Sequence, residues 1–207
     1  SVHSSTTACS AATTRTDTMR NLLCTLLTAG SLLLTGCGSM LATMQADTIE
    51  DDPGERTLGR MLEDSNIETK AVVNIHAADE EFHDTHVVVV SYNGYVLLAG
   101  QVHNEKLKAQ ATEVVRKIHG VRRIYNELEI AAPSSGMTRT SDGWITAKVK
   151  SWLIGAGDIE GMRVKVVTEN GVVYLMGLAT QEEADRISAT AADLSGVQRV
   201  VRLFEII

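Results

Sequence analysis

Trp144, Lys148 and Trp152 recur at every fourth residue in the stretch DGWITAKVKSWLIG, Asp142 to Gly155, and they include both tryptophans of this 207-residue chain. On a helix, residues four apart share a face, so the spacing predicts a Trp–Lys–Trp stripe beside a second stripe of Ile145, Val149 and Leu153. One apolar stripe is enough to dock a helix on a core, which leaves the other for interfacial chemistry. An indole ring offers an apolar body and an N–H donor, a combination suited to the boundary between hydrocarbon and water. Lys148 and Lys150 would each add about 1 kcal/mol beside an anionic surface, a contribution that salt screens. Thr146 and Ser151 are the candidate polar contacts at the rim. Trp152, next to Leu153, serves equally well as a cap on the core or a seal between domains.

Other constellations carry less. His83 and His86, with Asp84 between them, have the look of a metal pair on an extended segment. Positions i and i+3 of a strand point to opposite faces, however, and no third ligand has fixed spacing, so both are read as solvated loop histidines and no metal is expected. No GxSxG, P-loop, CxxC or HExxH pattern occurs, and Gly155-Ala156-Gly157 lacks the strand-to-helix context of a dinucleotide loop. No catalytic residue and no small-molecule substrate are expected. The net charge of −7 opposes bulk nucleic-acid binding, which needs a basic footprint; any anionic partner must be met by a local patch.

The N-terminal region reads as a targeting segment. From Met19 the sequence runs MRNLLCTLLTAGSLLLTGC, one basic residue followed by an apolar stretch too short to span a bilayer, which takes about 20 apolar residues. Leu34-Thr35-Gly36-Cys37 resembles the lipobox of bacterial lipoproteins. That resemblance implies a signal peptide over residues 19–36, removed before Cys37, and a Cys37 carrying a diacylglyceryl thioether and an N-acyl chain; no other cofactor is expected. Residues 1–18 are read as an upstream extension and 37–55 as the acylated cysteine and a tether. Cys9 and Cys24 would leave with the signal, so no disulfide is available to the mature chain. Gly38, where an aspartate would signal inner-membrane retention in enterobacterial lipoproteins, implies the outer membrane and its periplasmic leaflet.

Beyond the tether the chain repeats itself. DSNIETKAVVNI (64–75) answers DGWITAKVKSWL (142–153), SYNGYVLLAG (91–100) answers TENGVVYLMG (168–177), and IHGVRRIYNELEI (118–130) answers LSGVQRVVRLFEI (194–206). Each unit opens with a helix for which Asp64 or Asp142 is the expected N-cap. A strand follows (87–92; 164–168), then an Asn-Gly turn, which favours a type I′ hairpin, and a second strand (95–100; 172–177). A second helix buries Leu107, Ala111, Val114 and Ile118, or Ala184, Ile187, Ala191 and Leu194. Thr180 and Glu183 have capping-box spacing, and Gly120 and Gly196 are expected at C′. A last strand closes each unit (123–130; 200–206). The fold class is α+β: α-β-β-α-β units over 56–131 and 141–207, each a three-stranded sheet covered on one face by two helices, joined by a linker at 132–140.

The Asn-Gly hairpins, the Gly-Val ahead of each last strand, the Arg56–Gly59 segment RTLG and the helix WITAKVKSWL resemble the BON domain. Two such units behind a lipobox resemble the dual-BON outer-membrane lipoproteins, a division- and stress-associated family. That resemblance implies a non-enzymatic protein that binds anionic phospholipid, phosphatidylglycerol or cardiolipin, through its second domain. It also implies support of outer-membrane integrity, concentration at division sites, and a link to the β-barrel assembly machinery. The repeat supplies an internal comparison, because the first unit has Asn66, Lys70 and Asn74 where the second has Trp144, Lys148 and Trp152. A protein-interaction scaffold using the same helix or the first domain is the alternative reading.

Overall fold

The computed structural model describes residues 56–155 and 163–207. The signal segment, Cys9, Cys24, Cys37, the tether, Ala156 and Gly157 lie outside them. The described residues form one compact unit. The elements are α1 (Leu58–Ala78), a 3₁₀ turn (Glu80–Asp84), β1 (His86–Tyr92), β2 (Tyr95–Val102), α2 (Glu105–Arg116), β3 (Arg123–Ile130), α3 (Gly136–Gly155), β4 (Val164–Glu169), β5 (Val172–Ala179), α4 (Gln181–Ala192) and β6 (Arg199–Ile206). Each half is the α-β-β-α-β unit read from the repeat. Its sheet has the order β1-β2-β3 or β4-β5-β6, the hairpin antiparallel and the helix-crossed pair parallel.

Asn93 and Gly94 adopt φ of 51° and 77°, and Asn170 and Gly171 adopt 50° and 76°. Both central residues of each hairpin therefore have the positive φ that selects Asn-Gly for the type I′ turn. The expected capping box is present, with Thr180 N donating to Glu183 Oε2 at 2.8 Å and Glu183 N to Thr180 Oγ1 at 3.3 Å.

Asp64 and Asp142 are not N-caps. Each lies nearly two turns inside its helix, which starts instead after Thr57 or Ser135; α3 thus begins within the segment read as a linker. Thr57 Oγ1 accepts from Arg60 N and Ser135 Oγ accepts from Thr138 N. The aspartates are buried, and their carboxylates cap the hairpins. Asp64 accepts from Asn93 N at 2.8 Å and Gly94 N at 2.9 Å, and Asp142 from Asn170 N and Gly171 N, both at 2.9 Å. The I′ turn leaves two N–H groups facing the helix, and a buried carboxylate is the acceptor that satisfies them. Two smaller corrections concern the second helices. α2 and α4 end at Arg116 and Ala192, and Gly120 and Gly196 (φ 91° and 98°) close the turn that follows rather than the helix itself. Val115, not Val114, is the fully buried member of the α2 face.

Three cores result. Ile67, Ala71 and Ile75 of α1 and Leu107, Ala111 and Val115 of α2 pack on one face of the first sheet, meeting Val96 and Leu98. Ile145, Val149 and Leu153 of α3 and Ala184, Ile187 and Ala191 of α4 do the same on Val173 and Leu175. The third core joins the opposite faces of the two sheets: Val90, Tyr92, Leu97 and Ala99 pack against Val172, Tyr174, Met176 and Leu203. Because strand neighbours point to opposite sides, β2 and β5 are buried on both faces. The body is a four-layer sandwich, helices–sheet–sheet–helices, with α1 and α3 in opposite outer layers. A fully buried aliphatic or aromatic side chain is worth about 1.5–3 kcal/mol, so this shared core makes the two units interdependent.

Polar contacts rim the shared core. Arg122 grips Glu205 through both terminal nitrogens at 2.9 and 2.7 Å, and Lys165 Nζ meets Glu68 at 2.8 Å. His86 Nε2 lies 3.3 Å from Glu169 Oε2, and Tyr92 Oη donates to the Arg163 carbonyl at 2.7 Å. In the repeat, His86 corresponds to Arg163 and Tyr92 to Glu169, so these last two are one contact made twice about a pseudo-twofold axis. His86 is therefore an inter-sheet residue and not the solvated loop histidine expected. His83 turns away, its ring against His76 at 5.4 Å.

Candidate functional site

Helix α3 presents its core stripe inward and its other side to solvent. Trp144 is 71 % exposed. Lys148 stands on the next turn, its Nζ donating to the Ser195 carbonyl and, at 3.1 Å, to Ser195 Oγ. That ammonium is fixed at the edge of the helix with one donor to spare. Lys150 and Ser151 are also exposed.

Two of the expected residues turn elsewhere. Four residues advance a helix by about 40° beyond a full turn, so a stripe of i, i+4, i+8 drifts by about 80°. The drift carries Trp152 from the exposed side to the edge of the second core, where it packs half-buried beside Leu153. Thr146 lies on the sheet side of the helix and its hydroxyl donates to Thr168 Oγ1 at 2.7 Å, so it is spent on the fold. The exposed line runs instead at sevens, Met137–Trp144–Ser151, with Ile154 on the flank; Met137 is 85 % and Ile154 67 % exposed. Met137 was not expected, because the helix was taken to start at Asp142, and Ile154 was passed over because it lies off the Trp144–Lys148–Trp152 spacing. Ser135 and Thr138, at N-cap spacing with Met137 between them, are the signal that locates the earlier start.

The first unit's helix has its own exposed apolar residues. Leu58, Leu62 and Val73 are all well exposed on the outer side of α1. They have no aromatic among them and lie in the layer opposite to α3.

Two α-β-β-α-β units back to back, each with a carboxylate clasping an Asn-Gly hairpin, define a tandem domain protein. The BON domain family matches residues 63–132 and 141–207, and the chain belongs to it. Its relatives narrow the class to the dual-BON outer-membrane lipoproteins. The chain is 33 % identical over 180 residues to the outer membrane lipoprotein DolP of Haemophilus influenzae, covering 87 % of this chain and 93 % of that protein. It is 30 % identical to the 21 kDa hemolysin of Actinobacillus pleuropneumoniae, over 72 % of this chain and 76 % of that one. It is also 26 % identical to the osmotically-inducible protein Y of Escherichia coli, over 90 % and 95 % respectively. Among the described residues no helix is long and apolar enough to cross a membrane.

Proposed function

We propose that this chain is a lipid-anchored, non-enzymatic outer-membrane protein that docks a second time on the membrane through the outer face of α3. Cys37 would hold the acyl chains, and Trp144, with Met137 and Ile154, would enter the headgroup boundary of a bilayer rich in phosphatidylglycerol or cardiolipin. The observation that carries the reading is a tryptophan 71 % exposed on a helix already docked through its other side. An exposed indole contributes nothing to the core, and its amphipathic ring suits the interface. Lys148 and Lys150 supply local positive charge on an acidic chain, worth about 1 kcal/mol each beside anionic lipid. Since an anchor concentrates the protein at the membrane, a modest second contact is enough to orient it and to sense lipid composition. Support of outer-membrane integrity and action at division sites are the roles that the resemblance to the dual-BON lipoproteins implies.

The test is vesicle sedimentation of the two-domain body. Binding to phosphatidylglycerol vesicles, absent with neutral vesicles and lost in Trp144→Ala, is expected; equal sedimentation with both vesicle types would sink the reading. A second reading, a scaffold for envelope proteins such as the β-barrel assembly machinery, draws support from Leu58, Leu62 and Val73 on the opposite layer. It predicts that polar substitutions there leave lipid binding intact and abolish capture of that machinery.

A further inference from the structure

A cavity of about 320 Å³ opens beside the first half of α3, with buried Asp142 at its base and exposed Met137 and Ser141 at its mouth. The repeat shows what stands around the corresponding carboxylate in the first unit. Asp64 accepts from Arg56 at 2.8 Å and from the Ser91 hydroxyl at 2.7 Å, in addition to its two turn N–H groups. Arg122 crosses Gly94 and donates to the Asn93 carbonyl at 3.2 Å. In the second unit the positions of Arg56, Arg60 and Arg122 are held by Ser134, Thr138 and Gln198. Thr138 and Gln198 line the cavity, so it occupies room that arginine side chains take in the first unit.

Among the described residues Asp142 therefore has the two backbone partners of its twin without the cation and the hydroxyl. An ionised carboxylate has about four acceptor sites, and a buried one is stabilised only when a charge or donors meet it. Arg139, the arginine nearest in sequence, is exposed and does not line the cavity. At the other end, Gly196 lines the cavity, and a Cβ on Gly196 would lie 3.8 Å from Lys148 Nζ. The cavity thus has at its base a carboxylate with no ion pair among the described residues, and the Lys148 ammonium, held on Ser195, stands behind its lining residue Gly196. Its mouth residue Met137 belongs to the same exposed line as Trp144.

We infer that this cavity takes the phosphoethanolamine headgroup of a phospholipid, with the primary ammonium on the Asp142 carboxylate and the phosphate toward Lys148. The inference rests on the membrane-docking reading of α3 and adds a recognised headgroup to it. A primary ammonium brings the N–H donors that Asp142 has room to accept. A trimethylated choline brings charge without donors, and a glycerol headgroup brings donors without charge.

The experiment titrates phosphoethanolamine, phosphocholine and arginine amide into the body of residues 51–207, following the amide signals of Gly171 and Gly196 by NMR. Saturable shifts with phosphoethanolamine, at least ~tenfold weaker with phosphocholine, are expected. Gln198→Arg and Thr138→Arg, which restore the first unit's residues and fill the cavity, should abolish them while leaving signals elsewhere unchanged. Equal shifts with the two phosphates would overturn the inference. Tighter binding of arginine amide would overturn it in favour of a guanidinium from a protein partner. Vesicles separate this from the docking reading. Phosphatidylglycerol vesicles mixed with phosphatidylethanolamine should bind the body more tightly than those mixed with phosphatidylcholine, and Gln198→Arg should erase only that difference. Trp144-dependent binding that ignores the zwitterionic lipid would leave docking intact and sink the headgroup site. Headgroup shifts without any vesicle binding would sink docking, and with it a lipid as the ligand.

Discussion

Asp142 reaches out of the middle of its helix to accept the backbone N–H of Gly171 at 2.9 Å, and Asp64 does the same to Gly94 at the same distance. The unit is thereby locked across its longest internal connection, helix to hairpin. Asp64 has two further partners, Ser91 and Arg56, that Asp142 lacks. Replacing either aspartate by alanine leaves buried donors unpaired. We expect a loss of about 3–4 kcal/mol for Asp64→Ala and about 2–3 kcal/mol for Asp142→Ala, by charge-assisted hydrogen-bond magnitudes. The readout is urea unfolding, with a lower midpoint at an unchanged slope.

Acid should act through the same group. Burial raises the Asp64 carboxyl, but the Gly94 N–H, the Ser91 hydroxyl, the Asn93 N–H and Arg56 outweigh it and hold its pKa below 3.8. A depressed folded pKa contributes stability that is fully present above the unfolded value and is lost as pH falls through the folded one. Glu205, raised by burial but held below 4.5 by Arg122 and Asn93, has the same sign. Stability should therefore drop as pH is lowered below about 4. The drop should be shallower in Asp64→Asn, measured as unfolding free energy against pH.

The two tryptophans should separate cleanly. Trp144→Ala removes an exposed ring and should change stability by less than about 0.5 kcal/mol, while weakening vesicle binding. Trp152→Ala opens the edge of the second core and should cost about 1–3 kcal/mol, with binding kept by the molecules that remain folded. Calorimetry and sedimentation on the same two variants decide this.

Both tryptophans lie in the second unit, so their fluorescence reports on that unit alone, whereas far-UV dichroism reports on both. With the shared core of Leu97, Ala99, Tyr174 and Met176 between the sheets, the two signals should change at one urea concentration. Tyr174→Asp should lower both together. Two separate transitions would mean that the sheets unfold independently.

The repeat and the alternating patterns made the elements, the hairpins and the inner helix stripes legible before any coordinates. The role of Asp64 and Asp142 was not. An aspartate ahead of an apolar run is the usual mark of a helix start, and only the fold brings the hairpin N–H groups within its reach. The continuous apolar runs of β2 and β5, VLLA and VVYLM, did carry a sign that both sheet faces are covered, since a half-exposed strand would alternate. Which surface covers them is a tertiary fact. At the site, Trp144 and Lys148 lie on the exposed side that the four-residue spacing gave them, and Lys150 and Ser151 are exposed as well. Trp152 and Thr146 are not, because a four-residue spacing drifts round the helix and a hydroxyl takes whichever partner is near.

The swapped pair of contacts, His86 with Glu169 and Tyr92 with Arg163, has a consequence for how the two units can differ. It is the geometry that two identical subunits make about a twofold axis, here contained within one chain. Joining them removes the dependence of assembly on concentration and the requirement that both halves stay alike. One copy can carry arginines around its turn while the other carries tryptophan on its outer helix. A dimer of single units would have to carry every such change twice.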